Sequence, residues 1–213
     1  MQSICWFGTL ALLSSAAVAG ERAVYEVTLD ATWSAATHPL EHPASAHFSW
    51  SIAASHDEGY RLFEEGAIAS SGLERLAEEG ELDPFDAEIQ AAVDRGAAGA
   101  LFAGKPIQRA PGRTAFDIEV TTDHPMVSFA TMVAPSPDWF IGAAGVPLLV
   151  DDRWVAEKTL PLVVWDAGTD GGLTFLAADA DTRPRERVAP SASKHFNADG
   201  RAVPIGRVTF RRK

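Results

Sequence analysis

The sequence predicts an all-β fold, an antiparallel β-sandwich with one or two short helices inserted. Apolar and polar residues alternate at 25–30, 116–121 and 127–133, which is the side-chain period of a half-buried strand. Several such short segments, separated by turn residues within a single domain, are typical of a β-sandwich. A hydrophobic content of 46% is enough to form a core.

Other segments complete this prediction. The continuous apolar run 160–165 is typical of a central strand, and 48–53 and 203–210 are predicted as further strands.

Two short helices are expected. One covers 73–79 and stops at Gly80. The other starts with Asp83 as N-cap and Pro84 as first helical residue, and runs to Gly96. The stretch 96–112 is predicted as an irregular connection, and 179–197 as a long surface loop.

The beginning of the chain has the pattern of a secretory signal. Residues 4–18 are largely apolar and uncharged, and Ala17-Val18-Ala19 is a small-x-small cleavage sequence before Gly20. We predict a signal peptide at 1–19, a single domain at 20–213, and secretion (to the periplasm or beyond if the source is Gram-negative). Cys5, the only cysteine, lies in the signal, so no disulfide is expected in the mature chain. No transmembrane segment is expected there either.

Charge restricts the class of partner. The formal net charge of -11 argues against nucleic acid and anionic membranes as partners, because both attract basic surfaces. It is compatible with binding of cations.

Two segments carry the candidate metal ligands. Residues 134–142 and 165–172 are predicted as loops, and they hold Asp138, Asp166 and Asp170 without any Lys or Arg. Carboxylates fixed close together repel one another unless a cation lies between them, and calcium prefers oxygen ligands of this kind. The sequence therefore predicts a site for Ca²⁺, with another divalent cation as an option. The alternative is that these aspartates cap turns by accepting backbone N–H bonds.

The other candidates have simpler interpretations. The six histidines are predicted to have turn or packing roles, with zinc bound by His38, His42 and His47 as an alternative. Trp139 and Trp154 are predicted to pack in the core or to stack against a carbohydrate. The pair at 151–152 is predicted as a solvated turn. No nucleophile elbow, P-loop or His-Glu-x-x-His motif is present.

The chain resembles the spondin domain family over about 24–210. The resemblance lies in His-Pro-Met-Val-Ser-Phe at 124–129, Ala-Pro-Ser-Pro-Asp-Trp-Phe at 134–140, Asp-Arg-Trp at 152–154 and Asp-Ala-Gly-Thr-Asp at 166–170. It implies a sandwich with the topology of calcium-dependent lipid-binding modules and a divalent metal site at one end. The positions that match the family's ligands are Asp138, Asp166 and Asp170. Trp165 and Gly171 depart from the Tyr and Ser that are common beside this last motif. The chain also lacks the cysteines and thrombospondin-type repeats of animal members, so a stand-alone domain is predicted.

These observations together predict a secreted, non-enzymatic, calcium-binding recognition or adhesion module. Its partner would be an extracellular protein or a glycan of unknown identity. Two alternatives remain open. One is a metal-assisted hydrolase in which His124 or His56 acts as base beside the aspartates. The other is a purely structural domain whose ion stabilises a fold without disulfides.

Overall fold

The computed structural model describes residues 21–213, so the predicted signal peptide and Cys5 lie outside the described residues. Strands account for 44% of the structure and are accompanied by two short helices, which confirms the predicted all-β sandwich with helical insertions. Among the described residues, no helix combines the length and the apolar character needed to cross a membrane.

The chain alternates between strands and short connections, with both helices between the third and fourth strands. The elements are β1 (Arg22–Ala31), β2 (His47–Phe48), β3 (Ser51–His56), α1 (Ser71–Glu79), α2 (Phe85–Asp94), β4 (Ala98–Gly104), β5 (Gly112–Thr121), β6 (Met126–Ala134), β7 (Trp139–Pro147), β8 (Leu149–Val150), β9 (Arg153–Trp154), β10 (Glu157–Leu162), β11 (Val164–Asp166), β12 (Ala189–Pro190), β13 (Asn197–Ala198), β14 (Arg201–Ala202) and β15 (Gly206–Arg212).

Two antiparallel sheets form the sandwich. The smaller has the strand order β10-β15-β1-β5, and the larger has the order β12-β11-β7-β6-β3-β4 with β2 paired to β6. The pairs β8–β9 and β13–β14 form separate two-stranded ribbons.

The main core lies between the two sheets. In β1 the apolar side chains Tyr25, Val27 and Leu29 are almost completely buried and alternate with half-buried polar residues, as the period of two predicts. Val27 lies in register with Phe116 and Phe210 of the two neighbouring strands. Each fully buried side chain of this size contributes about 1.5–3 kcal/mol to folding.

A second apolar cluster attaches the helices to the outer face of the larger sheet. It includes Leu73, Leu76, Phe85 and Phe140. The predicted helix at 73–79 is confirmed as α1. The Ser70 side chain caps its start by accepting the N–H of Leu73, and Gly80 ends it in a left-handed conformation (φ 71°).

The second helix begins later than predicted. Pro84, not Asp83, is the cap residue, and no side chain caps the helix. The N–H of Asp86 bonds to the carbonyl of Leu82 and the N–H of Glu88 to that of Pro84, and the helix ends at Asp94.

The apolar run 160–165 is not one central strand. Residues 160–162 belong to β10 at the edge of the smaller sheet, whereas 164–165 belong to β11 in the larger sheet. The chain crosses between the sheets near residue 163. Both short strands place apolar side chains in the core. Because they follow one another directly in the chain, their apolar residues form one uninterrupted run in the sequence.

Seven strands are absent from the sequence prediction, and five of them, β8, β9, β12, β13 and β14, are only two residues long. β4 lies within the supposed irregular connection 96–112, and β7 begins inside the segment 134–142, which was expected to be a loop throughout. Both strands are rich in Gly and Ala, which hide the alternation of apolar and polar residues. Only 135–138 actually connects β6 to β7.

Candidate functional site

Strand pairing brings two of the predicted ligands together. β11 pairs with β7 so that Asp166 lies opposite Trp139, the first residue of β7. Asp138 immediately precedes Trp139, and its carbonyl accepts the N–H of Ala167 at 3.2 Å. The two aspartate loops therefore leave the larger sheet side by side.

Asp138 is completely buried. Its Oδ2 accepts the backbone N–H of Thr169 at 2.8 Å, the Thr169 hydroxyl at 3.3 Å and the N–H of Asp170 at 3.2 Å. Its Oδ1 is also buried but has no hydrogen-bond partner within the described part of the chain. A buried carboxylate oxygen without a partner is energetically costly, so this oxygen fits a cation as its partner.

The other two aspartates also bind backbone N–H groups. Asp166 Oδ1 accepts from Gly168 at 2.9 Å, and Asp170 accepts from Gly172 at 2.6 Å and from Ala180 at 2.8 Å. These are the bonds of the turn-capping alternative. They do not use up the oxygens, because each carboxylate oxygen has a second lone pair that can face a cation.

Gly168 determines the shape of the turn between Asp166 and Asp170. Its φ is +74°, and a Cβ at this position would lie 2.6 Å from the backbone C and O of Glu186. Glu186 also donates its N–H to the Gly168 carbonyl at 2.8 Å. The turn is therefore held against the segment that precedes β12 and leaves no room for a larger residue.

The electrostatics of this end oppose ionisation of its carboxyl groups. Burial, and then the charge of Asp166, raises the pKa of Asp138 to about 7, although the N–H groups of Thr169 and Asp170 act in the opposite direction. Burial also raises the pKa of Asp166. A hydrogen bond with Asp170 is the first cause of a raised pKa at Asp179. Ionising these carboxyl groups therefore has a free-energy cost that the neighbouring N–H groups do not fully offset.

A complete coordination shell is not present in this arrangement. Among residues 21–213, no group of three or more His, Cys, Asp or Glu side chains is arranged to hold a metal ion. Asp138 Oδ1 fits the role of a cation ligand, whereas Asp166 and Asp170 would have to turn their free lone pairs toward the same point. The three-aspartate calcium site therefore stays a prediction.

The histidines take part in other interactions. His56 bonds to the Asp57 carbonyl at 2.6 Å and the Ser128 hydroxyl at 2.7 Å, and His124 bonds to the Gly96 carbonyl at 3.1 Å. These contacts do not involve the aspartates. The proposed zinc histidines likewise have local roles, in that His38 bonds to Val203 and Thr37, His42 packs against Trp33 and His47 bonds to Ser45.

The two tryptophans near acidic turns lie in the core. Trp139 is 2% exposed and Trp154 is 9% exposed, so they pack inside the domain and do not form an open stacking platform. Asp151 and Asp152 form an exposed turn with positive φ between β8 and β9, as predicted.

Sequence reasoning missed one polar chain beside the aspartate loops. His195 Nε2 lies 2.7 Å from a carboxylate oxygen of Glu41, and His195 Nδ1 lies 2.7 Å from the Ser193 hydroxyl. The only sequence signal is a Ser-x-His spacing, and Glu41 is 154 residues away from the histidine. The folded chain alone brings them together.

These features define an antiparallel β-sandwich domain with carboxylate-bearing loops gathered at one end. The chain belongs to the Spondin_N family, whose sequence profile matches residues 23–202, and this confirms the resemblance found in the sequence.

Individual relatives agree with this assignment. The chain is 32% identical to Spondin-2 of Homo sapiens, over 88% of this chain and 61% of that protein. It is 31% identical to Spondin-2 of Rattus norvegicus, over 96% and 69% respectively. It is 35% identical to Spondin-1 of Mus musculus, over 80% of this chain but 22% of that protein. The chain thus spans about two thirds of the Spondin-2 relatives and about a fifth of Spondin-1.

Proposed function

We propose that this protein is a secreted, non-enzymatic recognition or adhesion module that binds calcium through Asp138, Asp166 and Asp170. Membership of the Spondin_N family and similarity to Spondin-1 and Spondin-2 support an extracellular recognition module. The signal-like residues 1–19 support secretion. The partner would be an extracellular protein or a glycan.

The observation that carries the calcium proposal is the unpartnered Oδ1 of Asp138. In the absence of a cation, burial and the neighbouring Asp166 favour the protonated form of Asp138. A divalent cation would supply the missing partner for Oδ1 and remove the repulsion among the three carboxylates. Loop carbonyls and waters would complete the six to eight oxygen ligands that calcium takes.

Such an ion would join the loop 135–138 to the turn 167–170. Because the ion would bind the folded chain and not the unfolded one, its binding free energy would add to the stability of the fold. The surface around these loops would then be most rigid when calcium is present.

The melting temperature tests this proposal. We expect calcium, added after chelation, to raise Tm by several degrees, whereas Asp138→Ala and Asp166→Asn should abolish the rise. Asp151→Asn, in the exposed turn between β8 and β9, is the matched control and should keep it. No rise with calcium, magnesium, manganese or zinc, together with no bound metal by elemental analysis, would contradict the proposal.

The two alternatives make different predictions. A purely structural ion would leave partner binding intact in Asp138→Ala once the variant is folded. A metal-assisted hydrolase would need a base at the aspartates, and the contacts of His56 and His124 with other groups disfavour the two bases that the sequence offered.

A further inference from the structure

A cavity lies beside the aspartate loops, between the end of β11 and the segment that follows β12. Its volume is about 360 Å³, which suits one amino-acid side chain with its neighbours or a small ligand. Its walls include Trp139, Asp166, Leu173, Ser193 and Lys194. Trp139 and Leu173 are apolar, whereas Asp166, Ser193 and Lys194 carry polar side chains.

Asp166 lines this cavity and has no cationic partner among the described residues. Its Oδ1 accepts the backbone N–H of Gly168, which is a neutral donor. None of the ion pairs formed among residues 21–213 includes Asp166. A half-buried carboxylate that lacks a counter-charge favours a cationic hydrogen-bond donor as ligand.

Ser193 contributes a second acceptor, and the chain through His195 determines its orientation. An ionised Glu41 only accepts hydrogen bonds, so the proton of a neutral His195 ring lies on Nε2 and points at Glu41. Nδ1 then accepts the hydroxyl proton of Ser193. Ser193 Oγ also accepts the backbone N–H of His195 at 3.4 Å, which leaves one lone pair as an acceptor. With a neutral His195 the hydroxyl therefore has no proton of its own to offer a ligand.

The ring of His195 is held firmly in this position. Its side chain is completely buried, and its centroid lies 4.7 Å from that of Phe175 and 5.8 Å from that of Trp139. The same Phe175 anchors a short loop whose neighbouring leucines point outward. Leu173 is 80% exposed and Leu176 is 81% exposed, although both are large apolar residues. Leu173 lines the cavity and, together with Leu176 in the same loop, forms an apolar rim.

We propose that this cavity binds a basic side chain, an arginine in particular, from a segment of an extracellular protein partner. The planar guanidinium offers several N–H donors at once, which suits the two acceptors Asp166 and Ser193. Its alkyl stem packs against Trp139 and Leu173, and an apolar neighbour of the arginine in the partner covers Leu176. The net charge of -11 attracts basic segments from a distance.

Lys194 also lines this cavity and is exposed. Its charge contributes to the lowered pKa of the Glu41 carboxyl group, after the hydrogen bond from His195. Asp166 forms no ion pair with Lys194 among the described residues, so its carboxylate remains for the ligand.

The proposal rests on the recognition role proposed above but not on calcium. It shares Asp166 with the predicted metal site, so calcium and the arginine side chain should compete. Asp170 belongs only to the metal proposal, and Ser193 belongs only to the cavity. Variants at these two positions therefore separate the two ideas.

The test is titration of the purified protein with the peptide acetyl-Leu-Arg-Leu-amide, followed by calorimetry in chelator and then in calcium. The control peptide replaces arginine by citrulline, which has nearly the same shape and no charge. We expect the arginine peptide to bind at least about tenfold more tightly than the citrulline peptide. Equal affinities, or no saturable binding of the arginine peptide to the folded protein, would overturn the proposal without the need for any variant.

Variants locate the site. Asp166→Asn should lower the affinity for the arginine peptide at least about tenfold. Ser193→Ala should lower this affinity severalfold and leave the calcium-induced rise in Tm unchanged. Asp170→Asn should reduce the calcium effect and leave peptide binding in chelator unchanged. Loss of calcium binding with intact peptide binding would refute only the metal proposal. Peptide affinity that is unchanged in folded Asp166→Asn would refute the cavity proposal.

Discussion

The Oδ2 of Asp138 accepts the backbone N–H of Asp170 at 3.2 Å, so one predicted metal ligand holds the main chain of another. The same oxygen also holds Thr169. The turn after β11 is thus attached to the connection before β7 through a single buried carboxylate. Whether or not an ion is bound, a substitution at Asp138 should alter the backbone position of Asp170.

The first prediction concerns pH. Because the pKa of Asp138 is about 7 in the folded chain and about 3.8 ordinarily, the folded state holds a proton that the unfolded state releases. The stability from this group is fully present below pH about 3.8 and is lost as pH rises through about 7. In chelator, we expect this loss to lower the free energy of unfolding by up to about 4 kcal/mol, as measured by urea denaturation.

The comparison that isolates this effect is wild type against Asp138→Asn at each pH. Other acidic groups titrate as well, and the Asp30 carboxyl, whose pKa Arg113 lowers, acts in the opposite direction. The difference between wild type and variant should therefore change between pH 4 and 8, roughly the range set by the two pKa values. A difference that is independent of pH would show that Asp138 ionises normally. With calcium present, the rise in Tm should grow with pH, because the ion needs the ionised carboxylate.

The second prediction concerns the glycine in the aspartate turn. Gly168→Ala should cost about 2 kcal/mol or more, because its φ is +74° and the new Cβ would lie 2.6 Å from the Glu186 backbone. Gly96→Ala is the matched control. Gly96 has a φ of +75° but no atom within 4 Å of the new Cβ, so about 1 kcal/mol is expected. If chemical denaturation gave equal losses of unfolding free energy for Gly168→Ala and Gly96→Ala, the Glu186 backbone would not restrict the turn at Gly168.

The third prediction concerns the polar chain beside the cavity. If Glu41 stabilises the fold through His195, Glu41→Gln should lower Tm in the wild type and should have a smaller effect in the His195→Gln background. Glu157→Gln, which removes an exposed ion pair with Arg211, should have the same effect in both backgrounds. Additive effects of Glu41→Gln and His195→Gln would contradict the coupling.

The fourth prediction separates folding from binding in the loop 171–178. Leu173→Ser and Leu176→Ser should change the free energy of unfolding by less than about 0.5 kcal/mol, because both side chains are exposed. Phe175→Ala removes a buried ring that contacts Trp33 and Trp139, and should cost about 3 kcal/mol. A large loss of stability from either leucine variant would mean that the leucines belong to the core, and the apolar rim would lose its support.

The all-β class and several elements could be predicted from local pattern alone. β1, β5 and β6 each present one face to the core and alternate clearly, and α1 carries both a Ser cap and a terminal glycine. The sequence does not predict β7, because its Gly and Ala residues do not distinguish an apolar face from a polar one. The apolar run that spans β10 and β11 is predicted as one strand, although it forms two. Periodicity reports which residues are buried and does not report which sheet buries them.

The sequence by itself determined the family, the short list of three aspartates and their occurrence in two separate segments, because these depend on residue types in order. Tertiary structure decided what each oxygen does. The pairing of β11 with β7 places Asp166 beside Asp138, whose buried Oδ1 has no hydrogen-bond partner among residues 21–213. It also brings Glu41 to His195 across 154 positions. Such distances, burial and pKa shifts arise from contacts remote in sequence, and no local pattern encodes them.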